Sequence, residues 1–197
     1  MIKYFYKEGQ TPLDDLEKKD LLLSIIDHKE LDIFEQENIL EAHDWIMKNS
    51  VLSKQDIFTE EFLLKLHKKM YRHVWKWAGK YRKTNKNIGV EYFEIPIELH
   101  KLLEDTKYWL KNKTYTINEL AVIFHHRLVK IHLFSNGNGR HARLCADVII
   151  AKCNGDKLTW SSNNIDLNKV SDLRKAYISA LKEADQGNYN PLFKFCF

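Results

Sequence analysis

Residues 132–143, HLFSNGNGRHAR, constrain the fold of this chain most, because a tight polar turn there divides two apolar-periodic segments. Upstream, Ile117, Leu120, Phe124, Leu128 and Ile131 recur at helical spacing, which predicts a helix that buries one face and delivers His132 at its end. Thr116 and Glu119 give that helix a capping-box start. Downstream, Leu144, Val148 and Ala151 resume the spacing, so a second helix covers residues 139–152 and stops at Asn154-Gly155.

The turn carries chemistry. Gly137 and Gly139 can take positive φ and let the backbone approach a ligand with no Cβ in the way. A helix start presents unpaired N–H groups and the positive end of a dipole, which together make an anion site. Arg140 and Arg143 are three residues apart and share a face near that end. Two cations there disfavour the helix unless an anion joins them, and guanidinium forks match phosphate oxygens. His132 lies just ahead of this site, and a neutral imidazole accepts a proton near pH 7. A base beside a phosphate cradle points to a hydroxyl attacking phosphorus.

The chain has 197 residues, 44% hydrophobic and 29% charged, enough for one domain with a sizeable core. No apolar run is long enough to span a membrane, and MIKYFYKEGQ lacks the apolar stretch of a secretory signal. Cys145, Cys153 and Cys196 are odd in number and show no CxxC spacing, which argues against a disulfide framework or zinc site and for a reducing cytoplasm. The net charge of +4 comes from Lys and Arg interspersed with Glu and Asp, a solvated surface rather than a nucleic-acid footprint. His125, His126 and His141 crowd the same region, but their spacing repeats no HExxH pair, so each reads as a structural or surface histidine.

Residues 1–32 read as an N-terminal extension packed on the domain, with a turn at Thr11-Pro12 and a short apolar run from Leu21 to Ile26. Residues 33–197 form the domain proper. A helix is predicted over 33–48, with Phe34, Ile39, Ala42 and Ile46 near one face. Another, capped by Thr59, runs from Glu60 to about Val74, with Phe62, Leu66, Met70 and Val74 inward and Trp75 and Trp77 continuing the core. Residues 80–96 turn polar and then β-favouring, which predicts a small hairpin closed by Pro96. Helices follow over 97–111, from caps at Asn163 to Asp166 as far as Ala184, and from Pro191 to the C-terminus. The fold class is therefore all-α, with about seven helices and one hairpin.

HLFSNGNGRHAR resembles the signature of the Fic family, HPFx(D/E)GNGRxxR, through His132, Phe134, Gly137, Asn138, Gly139, Arg140 and Arg143. It departs at Leu133, where proline is usual, and at Asn136, where an acid is usual. The flanking text, KNIGVEYFEIPIEL and FHHRLVKIHLFSNGNGRHARLCADVI, is most similar to the mobile-element-associated Fic proteins called mobile mystery protein B, from about Gly9 onward.

The resemblance implies a Fic-type helical domain that transfers AMP from ATP to a Ser, Thr or Tyr hydroxyl of a target protein. His132 would then take the hydroxyl proton. Gly137, Asn138 and Gly139 would hold the α- and β-phosphates, Arg140 the β-phosphate and leaving group, and Arg143 the γ-phosphate. Asp147, four residues after Arg143, could orient it by a salt link. The position of Asn136 implies Mg²⁺, although Asn supplies no charge. The hairpin, at Val90, Glu91, Tyr92, Phe93, Glu94 and Ile95, would be the flap that registers the target by strand addition. The family's inhibitory helix, (S/T)xxxE(G/N), is matched at its end by Glu37-Asn38, with Ile33 in the Ser/Thr position. In that helix the glutamate pairs with the second arginine of the signature and blocks productive nucleotide binding. The resemblance implies a target protein as partner and is compatible with an antitoxin partner. Two other functions fit the same residues: transfer from another nucleotide or phosphate donor, and nucleotide binding without catalysis.

Overall fold

The apolar stripes of the sequence fall on helices. The computed structural model describes residues 11–24, 28–161 and 170–197. Among these, the elements are α1 (Asp15–Lys19), α2 (His28–Ile46), α3 (Asn49–Leu52), α4 (Glu60–Tyr71), α5 (Ile95–Asn112), α6 (Ile117–Ile131), α7 (Asn138–Cys153), α8 (Val170–Asp185) and α9 (Asn190–Cys196). The two beyond the expected seven, α1 and α3, span five and four residues, too short to show a periodicity. The caps proposed at Asn163 to Asp166 and part of the Leu21 to Ile26 run lie outside the described residues.

Capping sets the boundaries of the site helices. Thr116 Oγ1 accepts the Glu119 N–H at 3.2 Å, and the Glu119 carboxylate accepts the Thr116 N–H at 2.8 Å. At the other end of α6, His132 takes the left-handed conformation (φ 60°) as C-cap. Gly137 takes it again (φ 79°) as N-cap of α7. The chain thus leaves one helix and enters the next within six residues. The extensively paired α6 and α7 form the centre of the domain, with α5 on α6, α2 on α4, and α8 on α9. Leu120, Phe124, Leu128, Ala142, Ala146 and Val148 are buried between them and their neighbours.

The predicted hairpin does not form. Among the described residues the only β pairing is an isolated antiparallel bridge between Leu21 and Trp75. Tyr92–Glu94 is a single 3-10 turn, and Ile95 already opens α5, with Pro96 in its first turn. Proline has no N–H for a ladder but presets φ for a helix start, so it opens α5 where a strand end was expected. The carbonyls of this stretch are satisfied by a side chain instead. Arg82, only 2% exposed, donates from Nη1 to the Thr84 carbonyl at 2.9 Å, from Nη2 to the Val90 carbonyl, and from Nε to the His132 carbonyl at 2.7 Å. Its own N–H donates to the Leu133 carbonyl at 2.9 Å. One guanidinium therefore holds the 84–90 loop and the end of α6 together. Gly89 lies at this crossing with φ 102°, where a Cβ would come within 2.6 Å of the His132 Cβ.

Residues 11–22 form a strap over the domain. Leu13 is buried, the Leu22 N–H reaches the Val74 carbonyl at 2.9 Å, and the Lys76 N–H reaches the Asp20 carbonyl at 2.9 Å.

Replacing Arg82 by Ala strands three carbonyls and is expected to cost on the order of 3 kcal/mol of stability. Denaturant unfolding checks this; a loss below 1 kcal/mol would show that water replaces the guanidinium.

Candidate functional site

The turn between α6 and α7 is locked by its own side chains. Asn138, 5% exposed, accepts the Phe134 N–H at 2.9 Å and donates to the Phe134 carbonyl at 2.8 Å. Its amide thus shapes the turn. Phe134 is fully buried and stacks on His67, with ring centroids 3.5 Å apart and planes 14° apart. His67 accepts the Gly79 N–H at Nδ1 (2.9 Å) and donates from Nε2 to the Asn136 carbonyl (3.2 Å), so α4 clamps the turn from outside. Gly137 faces the Tyr71 ring, where a Cβ would sit 2.5 Å from its atoms. None of His67, Tyr71 and Arg82 was singled out in the sequence, because nothing in their local pattern distinguishes them from ordinary core or surface positions.

The first turn of α7 presents the unpaired N–H groups that the sequence analysis expects of an anion site. The N–H groups of Asn138, Gly139 and Arg140 have no intrahelical acceptor. A Cβ on Gly139 would meet only the Tyr177 hydroxyl, at 3.6 Å, so the backbone there is approachable. Arg140 and Arg143 both stand over aromatic rings: the Arg140 guanidinium is 5.2 Å from the Tyr71 centroid and that of Arg143 is 5.4 Å from Tyr177.

Arg140 is also ion-paired. Its Nη1 lies 2.7 Å from Glu35 Oε2, and Glu35 Oε1 accepts the Trp75 indole N–H at 2.7 Å. Glu35 is buried on α2, whereas Glu37, the carboxylate expected to pair with Arg143, is on the exposed side of that helix. A two-residue offset along a helix turns a side chain by about 200°, enough to exchange the two faces. The predicted Arg143–Asp147 link is replaced as well: Asp147 accepts the Trp160 indole N–H at 2.9 Å.

His132 is 4% exposed. Burial first, and then the Arg82 guanidinium, push its pKa down to about 4, against a weaker pull from the Val129 carbonyl. The ring is neutral at pH 7, the form a base requires. Its Nε2 lies 3.0 Å from Thr11 Oγ1 on the strap, and its Nδ1 makes no well-formed hydrogen bond among the described residues.

The residues do not make a protein-held Mg²⁺ site. Asn136 Oδ1 accepts the Gly137 N–H at 2.6 Å and carries no charge. Among the described residues there is no cluster of three His, Cys, Asp or Glu suited to a metal. The other histidines bond to protein: His125 to the Tyr177 hydroxyl (2.9 Å), His126 to the Tyr189 hydroxyl (3.0 Å) and His141 to the Leu63 carbonyl (3.0 Å). No helix of the described residues is long and apolar enough to cross a membrane.

The Fic/DOC family model matches residues 57–150, which contain the whole turn and its clamp. The chain is a Fic/DOC family protein. It is 26% identical over 153 residues to a protein adenylyltransferase Fic of Nematostella vectensis, covering 76% of this chain and 34% of that one. It is 30% identical over 141 residues to a probable protein adenylyltransferase of Aquifex aeolicus, covering 68% and 39%. The chain thus spans about a third of the length of the curated relatives it matches. The Fic fold of BepC from Bartonella tribocorum, solved with bound AMPPNP, superposes with a TM-score of 0.69 at 17% identity, covering 92% of this chain and 96% of that one. An ADP-bound Fic domain from Bartonella quintana gives 0.66 at 18% identity, covering 88% and 86%.

Buried neutral histidines make this Fic domain acid-sensitive. His132 and His141 are pushed down to about 4, and His67 and His125 well below the usual histidine value, all chiefly by burial. The unfolded chain takes up these protons near pH 6.5 and the folded chain much lower, so stability is full above pH 6.5 and falls toward pH 4. His132 alone accounts for about 3 kcal/mol of that loss. Asp147, raised by burial to about 6, acts in the opposite sense, but one carboxyl is outweighed by four imidazoles. Denaturant midpoints should drop steeply between pH 7 and 4.5; a flat profile would mean that the imidazoles are hydrated.

Proposed function

We propose that this Fic domain transfers AMP from ATP to a hydroxyl side chain of a protein. One observation carries the reading: a buried, neutral imidazole caps α6 where the next helix opens its unpaired N–H groups, with two arginines on its first turns. In the transfer, His132 Nε2 takes the proton of the attacking hydroxyl. The N–H groups of Asn138 and Gly139 hold phosphate oxygens, with the Asn138 side chain fixing the loop that presents them. Arg140 and Arg143 neutralise the β- and γ-phosphates and the pyrophosphate that leaves. These are positioning and charge-stabilising roles, and loss of one costs on the order of 3 kcal/mol in the barrier. Bound phosphate would also raise the pKa of His132, making it a stronger base when substrate is present. The curated relatives named as adenylyltransferases and the solved Fic domains holding AMPPNP or ADP support this choice of donor. The flanking residues 86–99 and 124–149 support the mobile mystery protein B type.

Glu35 holds Arg140 at Nη1, so a phosphate competes with this carboxylate for the guanidinium. The inhibitory carboxylate is then Glu35 rather than Glu37, and it holds the first arginine of the signature rather than the second. Glu35→Gln keeps an acceptor for Trp75 and removes the charge. It should raise ATP affinity by roughly tenfold, about 1.4 kcal/mol. Glu37→Gly should leave ATP affinity unchanged. Calorimetric titration with ATP distinguishes them, and the opposite pattern would restore Glu37.

Transfer itself is tested with α-labelled ATP and a lysate of the native host. Label should enter protein with the wild-type chain and not with His132→Ala. ATP binding without label transfer by either would make the domain a nucleotide-binding regulator.

A further inference from the structure

We infer that Thr11 is an acceptor hydroxyl for this site, so that the chain modifies its own N-terminal strap. The inference rests on the transfer reading above and names one substrate for it. Its basis is the contact at the base nitrogen. Thr11 Oγ1 lies 3.0 Å from His132 Nε2, within reach for direct proton transfer. With the ring proton on Nδ1, the hydroxyl donates to Nε2, and its oxygen lone pairs are left for attack.

The strap is built to hold that hydroxyl in place. Thr11 is 6% exposed, and the following Pro12 restricts it to extended backbone, the conformation of a peptide presented to an enzyme. Leu13 anchors the strap in the core. Asp14 caps α1, accepting the Leu16 and Glu17 N–H groups at 3.0 and 2.9 Å, so the chain turns away immediately after the acceptor. Thr84 donates to Asp14 Oδ2 at 3.1 Å, and the Lys86 ammonium reaches Glu17 and the Pro12 carbonyl. These tethers belong to the 84–90 loop that Arg82 ties to His132. The loop expected to register a foreign target by strand pairing registers this chain's own segment through side chains.

The step balances without a further reactant beyond ATP. Thr11 Oγ1 bonds to the α-phosphorus, the bond from that phosphorus to the bridging oxygen breaks, and its electron pair leaves with pyrophosphate. The hydroxyl proton passes to His132 Nε2. Thr11 ends as a phosphodiester of AMP, and a foreign hydroxyl can reach Nε2 only after the strap has been displaced.

The full chain incubated with ATP labelled at the α-phosphate should acquire label on the peptide containing Thr11, located by peptide mass spectrometry. ATP labelled at the γ-phosphate should give none. Thr11→Val should bring self-labelling to background, Thr11→Ser should retain it, and His132→Ala should abolish it. Because the acceptor is in the same chain, the labelled fraction at a given time should not depend on protein concentration. Self-labelling that persists in Thr11→Val, or a labelled lysate protein with Thr11 unmodified, overturns the inference and leaves the transfer reading standing. A rise in lysate labelling with Thr11→Val and no label on Thr11 also overturns it, making the strap a plug. Label on neither the chain nor any lysate protein overturns the transfer reading and the inference together.

Discussion

Every proposed role depends on the bracket that the Asn138 amide makes across Phe134. By accepting from the Phe134 N–H and donating to its carbonyl, one side chain closes the loop that joins α6 to α7. The stack of Phe134 on His67 and the His67 bond to the Asn136 carbonyl then fix this loop against α4. Arg82 fixes the other side by bonding the carbonyl of His132, whose left-handed backbone a side-chain-bearing residue adopts only at some cost. The imidazole and the α7 amides are therefore positioned by packed, hydrogen-bonded groups before any ligand arrives, the condition under which fixed dipoles stabilise charge most effectively.

Both functional poles are occupied by protein groups. Glu35 holds Arg140, and Thr11 holds His132. The Glu35 carboxylate is 6% exposed and bonded on both oxygens, whereas a third of the Arg140 side chain remains exposed. The pair is thus partly shielded from solvent screening, and a triphosphate can compete for the arginine without first opening the core. The strap contact is a single neutral hydrogen bond, whose net worth is about 1 kcal/mol, and its hold on His132 comes mainly from the tethers around it.

Much of the fold was legible in the sequence, for a physical reason. The capping box at Thr116, the turn glycine Gly137 and the four-residue stripes of α4, α6 and α7 are local signals, and each element formed within a few residues of its expected place. What was not legible depends on contacts between distant residues. Arg82 looked like one more surface cation before a polar stretch, yet it is buried and replaces a β ladder with a guanidinium. Glu35 and Glu37 are indistinguishable in composition, and only the rotation of α2 against α4 decides which of them faces Arg140. Thr11 read as a turn residue; its meeting with His132 spans 121 positions and has no local signature.

The central claim is that the N-terminal amides of α7, together with His132, form the nucleotide site. It is tested most directly by two-dimensional amide and imidazole nuclear magnetic resonance of the full chain titrated with a non-hydrolysable ATP analogue. The account predicts saturable shifts at the amides of Asn138, Gly139 and Arg140 and at the His132 ring, with smaller changes at Glu35. Shifts that leave those amides unmoved and gather instead around the groove of Trp109, Tyr189 and Phe193 would contradict it.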